Sequence, residues 1–487
     1  MAVTTKLSEP RNVIGGQRVM AQSGRSIPVT DPATGEEIAT VPMSGPEDVN
    51  SAVAVAREAA VAWAATPIVQ RARVMFRLHH LIERDLDHLA YLVTKENGKA
   101  RSDALGEVTR GLEVVEFATG MPTHMQGGTV SNVARDVDTE TRRYPLGVVA
   151  GITPFNFPAM IPLWMMPIAV AAGNAFILKP SEQTPLTPMH LLDLFLEAGV
   201  PEGVVNIVHG GADTVNAICD HPGIAAVSFV GSAPVARHVY TRGTAAGKRV
   251  QALAGAKNFL IVLDDADLPS AADAVFASAF GNAGERCLAG SVVLATEGIA
   301  DRLVAELADR ARSAPVGPGD DPRNVVTPVI SPNAKQRICA AMDRALEEGA
   351  SLVTGGRPGA ESGLFIEPTI FDRVRPEMAV AREEIFGPVL AVIRVPDLDR
   401  AIEVANRSEF GNSSSLFTRS GKAAREFRER IEAGMLGINA GVPAPIGLFP
   451  FSGWKGSFFG DLHANGMDGV RFYTRMKAIT TRWPGDY

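Results

Sequence analysis

The sequence predicts an α/β fold of more than one domain, and three observations carry that prediction. At 487 residues the chain is longer than one hydrophobic core usually organises. From residue 146 to about 265, short β-branched apolar runs alternate with helical patterns, which is the mark of βαβ units and a parallel sheet covered on both faces. A second alternating stretch follows from about 267 to 445, and no internal repeat relates the two.

The strand candidates of the first stretch are GVVAGIT, AFILKP, VVNIVHG, AAVSFVG, KRVQAL and FLIVLD. Ligands of such sheets gather at the carboxyl ends of the strands. Three polar turns fall there: ITPFNFP, ILKPSEQTP and SFVGSAP. The second stretch offers helices such as ADRLVAELADRARS and strands such as SVVLAT and GPVLAVIRV. Residues 122–145 and 469–487 have extended, alternating character outside both stretches and read as an accessory sheet, an oligomerisation arm.

Residues 144–178 carry no charged side chain and are long enough to span a bilayer. Pro145, Pro154, Pro158, Pro162 and Pro167, with Asn156 and Asn174, interrupt the run, so it reads instead as strand, turn, buried helix and strand. Composition is ordinary for a globular protein, with 46% hydrophobic and 21% charged residues, and the net charge of −7 argues against a nucleic-acid or anionic-membrane partner. The opening MAVTTKLSEPRN lacks the apolar core of a signal peptide. Three cysteines without a CxxC pair (Cys219, Cys287 and Cys339) fit a reducing compartment, the cytoplasm, and argue against structural zinc. His79, His80 and His88 form the one histidine cluster, and a solvated charged face accounts for it better than a metal site. The dinucleotide fingerprint GxGxxG follows none of the strands. A lone cysteine such as Cys287, in NAGERCLAGS, is by its residue type either a small core hydrophobe or a nucleophile.

TPFNFP, LKPSEQTP, FVGS, GERC and EEIFGPV occur in an order and at separations that together resemble the aldehyde dehydrogenase superfamily over nearly the whole chain. The resemblance implies a Rossmann-type NAD-binding domain (1–121 and 146–252) of unusual, non-GxGxxG mode, an α/β catalytic domain (253–468) and a small oligomerisation sheet (122–145 and 469–487). It implies that Cys287 is the nucleophile, that Asn156 and the Cys287 backbone N–H form an oxyanion hole, and that the assembly is a homodimer or homotetramer. For the NAD cofactor it implies Lys179 and Glu182 at the adenosine ribose, Gly231 and Ser232 at the pyrophosphate, and Phe155, Glu384 and Phe386 around the nicotinamide end. A carboxylate at Glu182 favours NAD over NADP, and Ala236 stands where a glycine is expected.

Hydrolytic members of that superfamily carry a glutamate in an LELGGK-type motif, where this chain has Leu253 in QALAGAKNF. Leucine cannot act as a general base. GKRVQALAGAKN, PAMIPLWMMPIAVAAGN and FSGWKGSFFGDLHANG resemble the CoA-acylating methylmalonate-semialdehyde dehydrogenase branch, from which Leu253 (usually Asn) and Gly290 depart. The branch implies a small semialdehyde substrate, its carboxylate held by Arg110 and Arg286, with coenzyme A as co-substrate and propionyl-CoA or acetyl-CoA as product after loss of CO2. Arg286 is also expected to lower the Cys287 pKa by its charge. An ion pair with Glu107 or Glu113 on the same helix is the other reading of Arg110. Two further functions stay open: a hydrolytic aldehyde dehydrogenase, and a non-catalytic or membrane-associated binding protein.

Overall fold

The computed structural model describes residues 9–359 and 363–483, so the first eight residues of the N-terminal stretch and the last four of the 469–487 segment lie outside the described residues. Two large sheets and one small one organise the chain. The first sheet has the order Gln17–Val19, Asn12–Ile14, Val205–Ile207, Ala175–Lys179, Val148–Ile152, Ala226–Val230, Arg249–Leu253 and Phe458–Phe459. Its five middle strands are parallel and its flanks antiparallel. Side chains alternate across a strand, and here both faces are covered. Val149, Phe176 and Leu178 enter one core, while Val148, Ala150, Ile152, Ala175 and Ile177 enter another. That double burial is why these strands read as unbroken apolar runs.

The sixth strand candidate departs from the expected single sheet. Asn258–Val262 joins the second sheet, between Gly290–Thr296 and Ser413–Phe417. A parallel neighbour in one sheet needs a crossover of a dozen residues or more. Only Ala254, Gly255, Ala256 and Lys257 separate it from the preceding strand, so the chain passes to the other sheet instead. The remaining strands there are Ser351–Thr354, Thr369–Asp372, Val389–Val395 and Met435–Ile438. Conversely, Phe458–Phe459 comes back from late in the sequence to pair with Arg249–Leu253 at the edge of the first sheet.

The uncharged run resolves into the Val148–Ile152 strand, a turn, the Met160–Ala171 helix and the Ala175–Lys179 strand. The helix is apolar all round because it is buried from Ile161 to Ala171. Among the described residues no single helix is long and apolar enough to cross a membrane. Thr129–Ala134, Val137–Pro145 and Thr474–Arg482 form an antiparallel sheet whose outer strand is exposed along its length. His79 lies between Glu83 (3.2 Å) and Glu116 (3.0 Å), and His88 packs edge-on against His190. Among the described residues no three such side chains converge on a metal position.

Asn174 ties these parts together. Its Oδ1 accepts from Leu146 N (2.7 Å) and Gly147 N (3.1 Å), while its Nδ2 donates to Ala169 O (3.0 Å) and Tyr473 O (3.1 Å). The residue is fully buried. Asn174→Ala would strand these backbone groups, at a cost of about 2–4 kcal/mol. A melting temperature lowered by several degrees, with Asn174→Asp (which keeps the acceptor) falling less, is the expected outcome in differential scanning fluorimetry.

Candidate active site

Cys287 sits at the end of a tight, strained passage. Gly281–Gly284 closes the preceding helix, and inside it Asn282 (φ 51°) and Ala283 (φ 51°) take left-handed conformations. Such conformations cost an L-residue roughly 1–2 kcal/mol and persist only where surroundings over-determine them. Gly284 shares the left-handed region (φ +72°), and a Cβ there would lie 2.2 Å from Gly387 O. Only glycine lets the two backbones touch. Two carbonyls then pin the segment: Glu285 O accepts from Asn156 Nδ2 (2.9 Å) and Asn282 Nδ2 (3.2 Å), and Cys287 O accepts from Asn258 Nδ2 and Asn412 Nδ2 (both 2.9 Å).

A cavity of about 300 Å³ opens above Cys287, lined also by Arg110, Arg286, Trp164, Phe451 and Asn465. The Arg101–Thr119 helix builds one wall, with Asp103, Glu107 and Arg110 at the spacing of a single face. Asp103 accepts from Arg286 Nη2 (2.9 Å) and from Asn282 N (3.2 Å), fixing the guanidinium in the wall of the cavity that Cys287 also lines. Gly281 leaves room for it, since a Cβ there would meet the guanidinium at 2.6 Å. Arg110 does pair along its helix, but with Glu113 at 3.5 Å rather than with Glu107. Glu107 is engaged elsewhere, 2.6 Å from Lys99. The long Arg110–Glu113 contact leaves most of the guanidinium donors to the cavity.

Arg286 does lower the Cys287 pKa, as expected, but it is outweighed. Burial first, and the nearby Glu384 carboxyl second, push the Cys287 thiol up to about 12. The backbone N–H groups of Cys287 and Leu288 pull it back in part, and Arg286 contributes least. Arg286 is itself paired with Asp103 at 2.9 Å. Asn156 is buried, and one of its two amide N–H groups is committed to Glu285 O. Leu253, at the carboxyl end of its strand, lies in the apolar cluster with Leu288, against which Cys287 packs. Gly290, the other departure, has a local cause: a Cβ there would lie 2.3 Å from Leu260 Cδ1 on the neighbouring strand.

The loops after Ala175–Lys179, Val148–Ile152 and Ala226–Val230 stand side by side at the carboxyl edge of the first sheet. Lys179 Nζ donates to Glu182 Oε2 at 2.9 Å. Burial works to raise the Glu182 pKa, but Lys179 outweighs it and holds the carboxyl below its usual range. Gly231 N donates to Leu253 O (3.1 Å), and Ser232 precedes the Ala233–Ala245 helix without capping it. The first N–H groups of that helix thus have no side-chain cap, the arrangement an anion site requires, and Ala236 is buried on it. Phe155 and Phe386 meet edge-on at 5.9 Å, Phe386 at φ 54°. Glu384 Oε1 accepts from Ala256 N at 2.8 Å, and burial raises its pKa. The residues present fit a dinucleotide: a carboxylate and an uncapped helix start at the edge of the first sheet, and Phe155 there meeting Phe386 from the loop before Val389–Val395 of the second.

Sequence reasoning passed over Lys99, Asp103, Asn258, Asn282, Asn412 and Asn465, although Asn258, Asn282 and Asn465 lie inside quoted motifs. Single Asn and Asp residues read as turn formers, and nothing in their spacing shows which carbonyl each will reach.

The chain belongs to the aldehyde dehydrogenase family, whose model matches residues 19–479. It is similar to the malonate-semialdehyde dehydrogenase 2 of Geobacillus kaustophilus, 52% identical over 484 residues that cover 99% of this chain and 100% of the other. Among solved structures it is similar to a Sinorhizobium meliloti protein assigned as a methylmalonate-semialdehyde dehydrogenase and complexed with NAD, at 44% identity and TM-score 0.97, covering 99% of both chains. The methylmalonate-semialdehyde dehydrogenase of Oceanimonas doudoroffii matches at 43% identity and TM-score 0.97, again over 99% of both.

With its thiol near pH 12, Cys287 of the ligand-free protein should react slowly with iodoacetamide at neutral pH. The rate should climb about tenfold per pH unit with no plateau up to pH 10. Peptide mapping that finds a plateau below pH 8 would show a thiolate already formed at rest.

Proposed function

We propose that the protein oxidises malonate semialdehyde or methylmalonate semialdehyde with NAD and passes the acyl group to coenzyme A, releasing acetyl-CoA or propionyl-CoA after loss of CO2. The observation that carries this reading is one cavity lined by a cysteine and two arginines, with leucine where a hydrolytic base would stand. The relatives' names and the NAD complex of the Sinorhizobium meliloti protein support it.

The geometry supports the following roles. Arg286, held by Asp103, and Arg110 at the cavity wall receive the substrate carboxylate and bring the aldehyde carbon over Cys287 Sγ. Sulfur adds to that carbon, and the resulting oxyanion is met by the uncommitted N–H of Asn156 and by the Cys287 backbone N–H. Bound NAD supplies the hydride acceptor, held by Lys179, Glu182, Gly231, Ser232, Phe155, Glu384 and Phe386. The thioester left on Cys287 then faces an apolar wall at Leu253 that can take no proton from water. A CoA thiol needs less help, because its thiolate is intrinsically nucleophilic. On this reading the first sheet carries the cofactor domain, the second the catalytic domain, and the Thr129–Ala134, Val137–Pro145 and Thr474–Arg482 sheet an arm for a homodimer or homotetramer. Val130 and Met476, each 59% exposed on that arm, support the last point. A cytoplasmic enzyme of this kind fits three free cysteines.

Without CoA, NADH formation from malonate semialdehyde should show a burst near one equivalent per active site and then a slow phase, because losing general-base catalysis costs about a hundredfold to ten-thousandfold. Added CoA should restore turnover and yield acyl-CoA. Equally fast steady turnover without CoA, with free acid accumulating, would establish the hydrolytic reaction instead. Arg110→Leu should raise KM for malonate semialdehyde about tenfold to a hundredfold, the loss of one charge-assisted contact, and leave propanal, which has no carboxylate, nearly unaffected. Equal losses for both substrates would return Arg110 to a helix-surface role.

A further inference from the structure

We infer that Lys99 and Glu107 form a positioning pair whose task is to hold Asn156 at the reacting carbonyl, an inference that rests on the Cys287–Asn156 site proposed above. Neither side chain has any solvent exposure. Lys99 Nζ donates to Glu107 Oε2 at 2.6 Å and to the backbone oxygen of Asn156 at 2.5 Å, and lies 4.2 Å from the centre of the Phe157 ring. The other carboxylate oxygen of Glu107 accepts from Ala159 N (2.8 Å) and Met160 N (3.1 Å). One ion pair therefore grips the 156–160 turn at both ends, and both of its members also line the cavity above Cys287.

The turn needs an external grip. Pro154 and Pro158 flank Asn156, and each removes a backbone donor. Asn97 Nδ2 (3.2 Å) and Thr184 Oγ1 (3.4 Å) reach Phe155 O, so the residue before Asn156 is held by side chains too. Glu107 also supplies a negative charge to the first N–H groups of the Met160–Ala171 helix, where the helix dipole favours it. Burying two charges is expensive, and an apolar pair of the same volume is often as stable or more so. Stability alone does not account for this pair. Its contacts do: every polar atom of the pair that bonds is directed at the partner or at the turn that carries Asn156. Burial depresses the Lys99 pKa, with Glu107 opposing it, so the ammonium depends on its partner to stay charged.

An oxyanion donor acts in the transition state, so a fault in its position should appear in kcat while KM for the semialdehyde stays nearly constant. Misplacement by an ångström can cost about a hundredfold. The test is a double-mutant cycle on the first-turnover rate of NADH formation with malonate semialdehyde and NAD. Asn156→Ala should lower that rate about a hundredfold to a thousandfold. Lys99→Met should lower it about tenfold to a hundredfold in the parent enzyme but less than threefold when Asn156→Ala is already present, because the group it positions is gone. Equal losses in both backgrounds would overturn the proposal and leave the pair a merely structural one. Where Lys99→Met does not fold, Glu107→Gln enters the same cycle with the same two readings, and Lys99→Arg should recover part of the rate. If Asn156→Ala itself leaves the rate unchanged, the fault lies with the proposed reaction site and not with the pair alone.

Discussion

The whole site depends on four amide hydrogen bonds to two carbonyl oxygens. Glu285 O lies two residues before Cys287 and the second oxygen is the carbonyl of Cys287 itself, and each accepts from two asparagine side chains. The donors come from different places: Asn156 from the first sheet, Asn258 and Asn412 from the second, Asn282 from the segment itself. Because the nucleophile is referred to both sheets at once, neither can shift without moving it. This is also what keeps Asn282 and Ala283 in conformations that a free chain would leave.

Around that anchor, three cations of the cavity wall are each paired with a carboxylate. Asp103 answers Arg286, Glu107 answers Lys99, and Glu113 answers Arg110, all three carboxylates coming from one helix. The pairings differ in depth. Lys99–Glu107 is wholly buried and fixed, Arg286–Asp103 is partly buried, and Arg110–Glu113 is long and open to solvent. A gradient of this kind separates holding from binding: the innermost cation shapes the cavity wall, and the outermost keeps donors to offer an incoming anion. It also explains the resting thiol. With the local cations already matched, burial and Glu384 hold the Cys287 thiol above its usual range.

Much of the fold was legible because parallel strands buried on both faces announce themselves as apolar runs, as Val148–Ile152 and Ala175–Lys179 do. The exchange of strands between sheets was not. Nothing in FLIVLD distinguishes it from its predecessors except a linker too short for a crossover, and nothing in SFFG marks Phe458–Phe459 as an edge strand two hundred residues away from its partner. The candidate site residues that motifs carry, Cys287, Asn156, Lys179, Glu182 and Glu384, could be named from the sequence. Their supporting residues could not, because a pair such as Lys99 and Glu107 is defined by what lies between them in space. Arg110 shows the limit well: helical spacing allows Glu107 and Glu113 equally, and only the presence of Lys99 decides.

Leu253 has a consequence beyond the rate of one step. Its side chain closes the strand end with hydrocarbon, packed in one cluster with Leu288 and Phe451 and against Phe458. On the proposed reaction, the free energy released as the aldehyde is oxidised is not dissipated in making a carboxylate. It stays in an acyl–sulfur bond that is exchanged for another of the same kind. Metabolism then receives a carbon unit already activated for carbon–carbon bond formation, with no nucleotide triphosphate spent on it. On that reading the absence of a carboxylate at the end of one strand goes with an enzyme that conserves the chemical potential of its aldehyde rather than disposing of it.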